Sequence, residues 1–302
     1  MEINKVYQEP CLTTLSKMEN NSIDCVITSP PYWQLRNYGY SGQWGLEPTF
    51  QLYLEHLWRM MDEIYRVLKP KGTCWVNLGD SYNSNSGGGN VNTGNAAAIL
   101  QMGRNNKQDK KYNSKCLLLI PHRFAIGCID RGWIIRNDCI WAKRNGMPES
   151  VTDRFSKKHE YFFFMVKSEK YFFDLDAIRD KHLGVDAIRS NGNNEINRGG
   201  LRHEQNPNGK NPGSVSDFWD IPTKPSTEKH YASYNDSLLV KPVLSGCPKG
   251  GIIYDPFFGT GSTGEVALRS DRNFIGSEMS EEYCKITNDR LMPFLAQKTI
   301  QF

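Results

Sequence analysis

Apolar and polar positions recur along this chain with two different periods, and the switches between them lay out its elements. Residues 22–28 form a short apolar run of strand length that closes on Ser29-Pro30-Pro31-Tyr32. From Phe50 onward, Tyr53, Leu54, Leu57, Met60, Met61, Ile64 and Leu68 fall on one face of a helix. Pro70-Lys-Gly72 ends that helix, and 73–78 reads as the next strand, running out into Gly79-Asp80-Ser81. Strand, helix and strand at this spacing make a βαβ unit, which requires parallel pairing. A helical period returns over 117–131. Segments 133–141 and 160–166 are dense in β-branched and aromatic residues and read as strands. Further on, 237–244 reads as helix, 251–254 as strand, 262–269 as helix and 273–276 as strand. A last helix opens at Ser280, whose hydroxyl caps it, with Glu281 and Glu282 in the dipole-favoured first turn.

Two tracts break the rhythm, and there are no internal repeats. Residues 83–115 are rich in Gly, Asn and Ser and carry Arg104, Lys107, Lys110, Lys111 and Lys115 against Asp109. That composition fits a disordered insertion, or a basic arm that tracks a phosphate backbone. Residues 184–216 form a second Gly/Asn-rich tract with Arg189, Arg198, Arg202 and Lys210 against Asp186, Glu195 and Glu204.

Composition narrows the class. A chain of 302 residues with 38% hydrophobic residues is long enough for one large α/β domain or two smaller ones. Its mean hydropathy of −0.58 fits a soluble protein with long polar loops. No run of 18 apolar residues exists, so no membrane span is expected. Met1-Glu-Ile-Asn-Lys5 lacks the apolar core of a signal peptide, which points to the cytosol. The eight cysteines sit singly, with no Cys-x-x-Cys pair, so core thiols are expected and no metal site. A net charge of +4 permits a polyanionic partner without demanding one.

Two motifs carry candidate chemistry. In Ser29-Pro30-Pro31-Tyr32 the prolines fix φ and remove two donors, leaving carbonyls that point outward unpaired. The Ser29 hydroxyl and the Pro30 carbonyl can accept from one NH₂ group, and Tyr32 can stack on the ring that bears it. Trp33 either closes that pocket or packs in the core. The second motif is Asp255-Pro256-Phe257-Phe258-Gly259-Thr-Gly261-Ser-Thr-Gly264, a G-x-G-x-x-G turn between a strand and a helix. Glu278 ends the next strand, where it can hold two ribose hydroxyls. A nucleoside-containing cofactor is expected. Asp255 at the mouth of the turn would oppose a pyrophosphate and favour a cationic sulfonium–ammonium ligand. Gly264 also lies 38 residues from the last residue, too late for a dinucleotide fold that begins its sheet there. The remaining strands must come from upstream, so the sheet is circularly permuted.

That order resembles the β class of S-adenosylmethionine-dependent DNA amino-methyltransferases. The likeness extends to Val67-Leu-Lys-Pro-Lys-Gly72, Val76-Asn-Leu-Gly-Asp-Ser-Tyr82, Asp130-Arg-Gly-Trp-Ile-Ile-Arg-Asn-Asp138, Met147-Pro-Glu-Ser-Val-Thr-Asp-Arg-Phe155, His159-Glu-Tyr-Phe-Phe-Phe164, Trp219-Asp-Ile-Pro222 and His230-Tyr-Ala232. It implies an α/β fold, a Rossmann-like, circularly permuted mixed sheet flanked by helices, with a loop-rich target-recognition insertion. By the same likeness, 1–173 is the catalytic part, 174–229 the target-recognition region and 230–302 the cofactor-binding part of one methyltransferase domain. Ser29, Pro30, Pro31 and Tyr32 would carry catalysis. Thr28, Asp255, Pro256, Phe257, Gly259, Gly261, Glu278 and His230 would hold S-adenosylmethionine, with Asp80 either touching it or capping a turn. Trp33, Arg104, Lys110, Lys111, Arg154, Arg189, Arg198 and Arg202 are candidates for DNA contact. The implied partners are double-stranded DNA and a cognate restriction endonuclease, the chain acting as monomer or homodimer.

Members with Ser-Pro-Pro-Tyr usually methylate cytosine N4, and those with Asp-Pro-Pro-Tyr adenine N6. Adenine-N6 transfer is therefore the alternative reaction, and a DNA-binding module with a vestigial cofactor pocket the alternative of another class. Two stretches depart from the family pattern. Tyr7-Gln8-Glu9-Pro10-Cys11 has proline where the family carries the Asp that reads the cofactor adenine, leaving Glu9 or the Cys11 backbone to substitute. Tyr234-Asn-Asp-Ser-Leu238 stands where Phe-Pro-Glu-x-Leu is usual.

Overall fold

The computed structural model describes residues 1–83, 109, 111–146, 149–179, 215–223 and 236–300. Arg104, Lys110, Arg189, Arg198, Arg202 and His230 lie outside them. An eight-stranded mixed sheet forms the centre, in the order β1 (Lys5–Tyr7), β10 (Asn273–Ser277), β9 (Ile252–Asp255), β2 (Ile23–Thr28), β3 (Leu68–Leu78), β7 (His159–Val166), β6 (Ile134–Ala142) and β8 (Phe218–Asp220). The pairs from β1 to β3 are all parallel, whereas β7 runs antiparallel to both β3 and β6. The expected permutation is present. Strand β9, late in sequence, lies directly against β2 with Val26 opposite Tyr254.

Each face of the sheet buries its own apolar cluster. One packs under α1 (Cys11–Lys17), α2 (Phe50–Val67) and α3 (Ile120–Ile129), with Tyr53, Leu57, Met60 and Phe124 at its centre. The other packs under α4 (Asp236–Gly246), α5 (Ser262–Arg269) and α6 (Glu281–Ile300), around Leu238, Val243, Val266 and Leu291. Helix α2 shows why the period was readable. Its buried positions are Phe50, Tyr53, Leu54, Leu57, Met60, Met61, Ile64 and Val67, and Thr49 Oγ1 caps it by accepting from Leu52 N at 3.3 Å.

Three details differ from the expectation. Leu68 belongs to β3, because the helix stops when Leu68 turns extended. Residues Pro70 to Gly72 also sit within β3, in a bulge between the pairs Ile23–Leu68 and Cys25–Thr73. The expected helix over 117–131 begins at Ile120, since Cys116–Leu117 (β5) pairs with Tyr82–Asn83 (β4) and Leu119 is left-handed at φ 54°. Strand β1 and helix α1 carried too few periodic residues to be read. Of the eight cysteines, seven are buried, all are free, and Cys116 is exposed. No helix among the described residues is long and apolar enough to cross a membrane.

Candidate active site

The carboxyl ends of the parallel strands open onto one cavity of about 540 Å³, which takes residues from both motifs. That volume lies in the range of small-molecule sites. Ser29, Pro30, Pro31 and Tyr32 form one wall, and Pro256, Phe257, Gly259 and Glu278 another. The pairing of β2 with β9 puts them side by side.

The glycine turn works through its backbone. Gly259 and Gly261 have φ of 56° and 86°, conformations that L side chains rarely adopt. A side chain at Gly264 or Gly276 would strike the Phe258 ring at 2.6 and 2.4 Å, so these two glycines let helix and strand close around it. The Glu278 carboxylate accepts from Gly259 N at 2.9 Å and from Ser280 N at 2.8 Å. Burial pushes its acidity weaker than an ordinary glutamate, against the pull of those N–H groups. A carboxylate offers about four acceptor positions, so capacity for hydroxyl donors remains. Above the turn, Trp44 meets Phe257 at 5.5 Å, and Tyr40 shares a 2.6 Å hydrogen bond with Ser280. An apolar slot with the Glu278 carboxylate at its end fits the adenosyl part of S-adenosylmethionine.

Asp255 is corrected in role. It is 1% exposed and lies behind the wall, not at the mouth of the turn. Its oxygens accept from Phe257 N at 3.1 Å and Thr263 Oγ1 at 2.6 Å, which pins the turn to α5. Desolvation pushes its pKa up to about 6. Thr28 stands beside that carboxylate, fully buried, and Gly261 occupies the N-cap of α5; neither lines the cavity. Glu9 does line it, with its carboxylate bonded by Thr14 at 3.0 Å and by Lys17.

The clamp wall is held by side chains. Ser29 Oγ donates to Asn77 Oδ1 at 3.4 Å, and Tyr32 OH points at both Asn77 Oδ1 (2.9 Å) and Glu160 Oε2 (2.7 Å). Asn77 is 1% exposed and is oriented by donating from Nδ2 to Tyr161 O at 3.0 Å. The other oxygen of Glu160 pairs with Lys143, whose ammonium lies 4.3 Å over the Trp141 ring. Pro31's carbonyl is not unpaired: Tyr53 OH donates to it at 2.8 Å. Trp33 is core. It is 4% exposed, outside the cavity wall, and its indole donates to Glu47 O at 3.0 Å.

Asp80 caps a turn. Its Oδ1 accepts from Ser81 N and Ile120 N at 2.8 and 3.0 Å, and it does not line the cavity. Of the described DNA-contact candidates, Lys111 sits over Tyr112, and Arg154 pairs with Glu149 while stacking 4.1 Å over Tyr82. Asn77, Lys143 and Glu160 were missed as site residues. Asn77 and Glu160 stand in stretches that carry the family likeness, but only strand pairing shows that they meet Ser29 and Tyr32 (with Asn77 opposite Phe162 and Glu160 opposite Trp141).

Comparison with known proteins gives the same class. The family model described as DNA methylase, of the N6/N4 type, matches residues 23–289. The type II methyltransferase M.Cfr9I of Citrobacter freundii is 34% identical over 294 residues, covering 96% of this chain and 89% of that protein. M.XycI of Xanthomonas campestris pv. cyanopsidis is 35% identical over 287 residues, covering 95% and 87%. The solved PvuII DNA methyltransferase (cytosine-N4-specific) superposes with a TM-score of 0.66 at 18% identity, covering 96% of this chain and 86% of that one. A putative DNA modification methylase of Thermus thermophilus, solved complexed with S-adenosyl-L-methionine, gives 0.61 at 20% identity, covering 96% and 94%. The chain belongs to the N6/N4 family of DNA methylases. It is a DNA methyltransferase whose cofactor is S-adenosylmethionine.

Proposed function

We propose that this chain methylates the exocyclic N4 amino group of a cytosine flipped out of double-stranded DNA. The observation that carries the reading is Ser29, rather than an aspartate, at the end of β2 on the cavity that the glycine turn shares. S-adenosylmethionine, when bound, supplies a methyl group made electrophilic by its sulfonium. Pro256, Phe257, Gly259 and Glu278 would hold it.

The chain's own part is orientation. The N4 lone pair of cytosine is delocalised into the ring, so the amine is a poor nucleophile until its nitrogen turns tetrahedral. Because Ser29 gives its proton to Asn77, its Oγ meets the substrate as an acceptor. The Pro30 carbonyl takes the second amino hydrogen, and the lone pair then faces the opposite wall. Positioning of this kind supplies at most roughly 7–11 kcal/mol. Tyr32 offers its ring as a stacking face; flipping costs a few kcal/mol, and a base–aromatic stack returns about 1–3 kcal/mol. Transfer is direct. The cysteine in the described wall is Cys11, and burial pushes its thiol up to about 12, which leaves no thiolate for a covalent intermediate.

Target recognition falls to residues 174–229, between catalytic (1–173) and cofactor-binding (230–302) parts of one domain. The enzyme would work in the cytoplasm beside a cognate endonuclease. Sequencing plasmid DNA from cells expressing the chain, with a readout that separates N4-methylcytosine from N6-methyladenine, tests the reading. N4-methylcytosine at one short sequence, lost in Ser29→Ala, is expected; N6-methyladenine there overturns the base assignment. Calorimetric titration with S-adenosylmethionine addresses the vestigial-pocket alternative, which predicts no binding.

A further inference from the structure

Phe155 stands apart from every other large apolar side chain described: it is 97% exposed, although both of its flanks are tied down. Arg154, just before it, pairs with Glu149 and stacks on Tyr82. Two residues after it, the half-buried Lys157 reaches back to donate to the Asp80 carbonyl. Lys158 then joins the rim of the cavity, its carbonyl accepting from Lys143 N at 2.8 Å and its ammonium donating to Gly146 O at 2.5 Å. Lys143 and Gly146 both line the cavity. The same rim turn is stapled on its other side to the end of the recognition region, where Asn145 and Thr223 exchange hydrogen bonds of 2.7 Å. A single exposed apolar residue on a slack loop needs no explanation. Here the loop is anchored before and after one phenyl ring, and it springs from the edge of the pocket that would receive the base.

A base leaving a duplex opens a gap in the stack, and apolar side chains that enter between base steps hold such gaps open. We propose that Phe155 is that wedge: its ring enters the DNA stack at the position the target base vacates. Arg154, Lys157 and Lys158 brace the loop and bring positive charge beside the backbone that must bend. The inference rests on the base-flipping reading above, but not on which base is methylated. Tyr32 then stacks on the extruded base inside the cavity, while Phe155 fills the place it left.

The test uses the full chain, labelled S-adenosylmethionine and two duplexes carrying the recognition sequence that plasmid sequencing reveals. In one duplex the target base is normally paired; in the other it faces an abasic site, where extrusion is easy and no wedge is required. Single-turnover transfer by Phe155→Ala is expected to fall about ten- to a hundredfold on the paired duplex, the loss of one base–aromatic stack. On the abasic-opposed duplex it is expected to stay within about threefold of the natural chain, and Phe155→Trp to keep its rate on both. Full exposure of the residue means that neither variant disturbs the core. A Phe155→Ala rate within about twofold of the natural chain on the paired duplex, or an equal loss on both duplexes, overturns the wedge. Plasmid DNA that carries no methylated base after expression of the natural chain overturns the functional reading itself, which separates the two failures.

Discussion

The two walls of the cavity are built by different means. The wall proposed to hold the cofactor, called the cofactor wall below, comes from one continuous stretch, β9, the glycine turn, α5 and β10, and its geometry is set through the backbone. Glu278 is aimed by the N–H groups of Gly259 and Ser280, and Asp255 holds the turn by Phe257 N and Thr263. The clamp wall is assembled from separate strands, Ser29 after β2, Asn77 in β3, Glu160 in β7 and Lys143 after β6, joined side chain to side chain. A backbone-built wall should fail when its turn is loosened. A wall of linked side chains should fail one residue at a time, leaving its neighbour across the cavity working.

The largest effect expected is at Ser29. Loss of one positioned hydrogen-bonding group at a reacting centre costs about 10²–10³ in rate. Ser29→Ala should show that fall in single-turnover transfer while calorimetry finds its affinity for S-adenosylmethionine unchanged. If affinity drops in step with rate, the walls are not independent. The cofactor wall answers to pH instead. An unfolded aspartate ionises near 3.8, and Asp255 in the fold only near about 6. The stability this group contributes is thus fully present below 3.8 and is lost as pH rises through about 6, on the order of 3 kcal/mol. Asp255→Asn has no charge to lose, so in thermal melts from about pH 4 to 7 the natural chain should fall relative to the variant. Parallel curves would show that the carboxylate is not carrying the strain of burial.

What could be read from the sequence divides along the same line. The glycine turn was legible because its parts are contiguous, and the permutation followed from its position late in the chain. The exposed face of the clamp was legible too, since Ser29 through Tyr32 are consecutive. Its support was not. Asn77 and Glu160 meet Tyr32 across 45 and 128 residues of chain, and only the antiparallel pairing of β3 with β7 aligns them. Asp255 misled for the opposite reason, and Trp33 took the core reading of the two it was given. Their motif neighbours face the cavity, whereas Asp255, the last residue of β9, is held inward by Phe257 N and Thr263, and Trp33, in the turn after Tyr32, by Glu47 O. Strand β1 and helix α1 are three and seven residues long, too short for any period to register.

Asn77 tests whether the clamp's support matters to chemistry or only to folding. Asn77→Ala takes a donor from the Tyr161 carbonyl and an acceptor from the Ser29 hydroxyl, while the Tyr32 hydroxyl keeps Glu160, at a cost of about 1–3 kcal/mol in stability. It also lets the Ser29 proton turn into the cavity, where it would face the amino group it should accept from. A further loss of about tenfold in kcat, with KM for DNA little changed, is expected from that reversal. Equal loss in Asn77→Ala and Ser29→Ala, or none in kcat, would remove the orienting role.

The smallest effect is reserved for Tyr32→Phe, and it decides what Tyr32 is for. The ring is placed by packing as well as by its hydroxyl: a side-chain carbon at Gly79 would meet the ring edge at 2.6 Å, so the backbone there already fixes one side of it. Removing the hydroxyl frees Glu160 Oε2 and one bond to Asn77, but leaves the stacking face in place. One net hydrogen bond corresponds to about two- to tenfold in rate. Tyr32→Phe should lie in that range, and Tyr32→Ala, which takes the face away, should lie well below it. If the two variants are equally slow, the hydroxyl chain to Glu160 and Lys143 matters more than the ring, and the clamp wall is then an electrostatic device in which stacking is secondary.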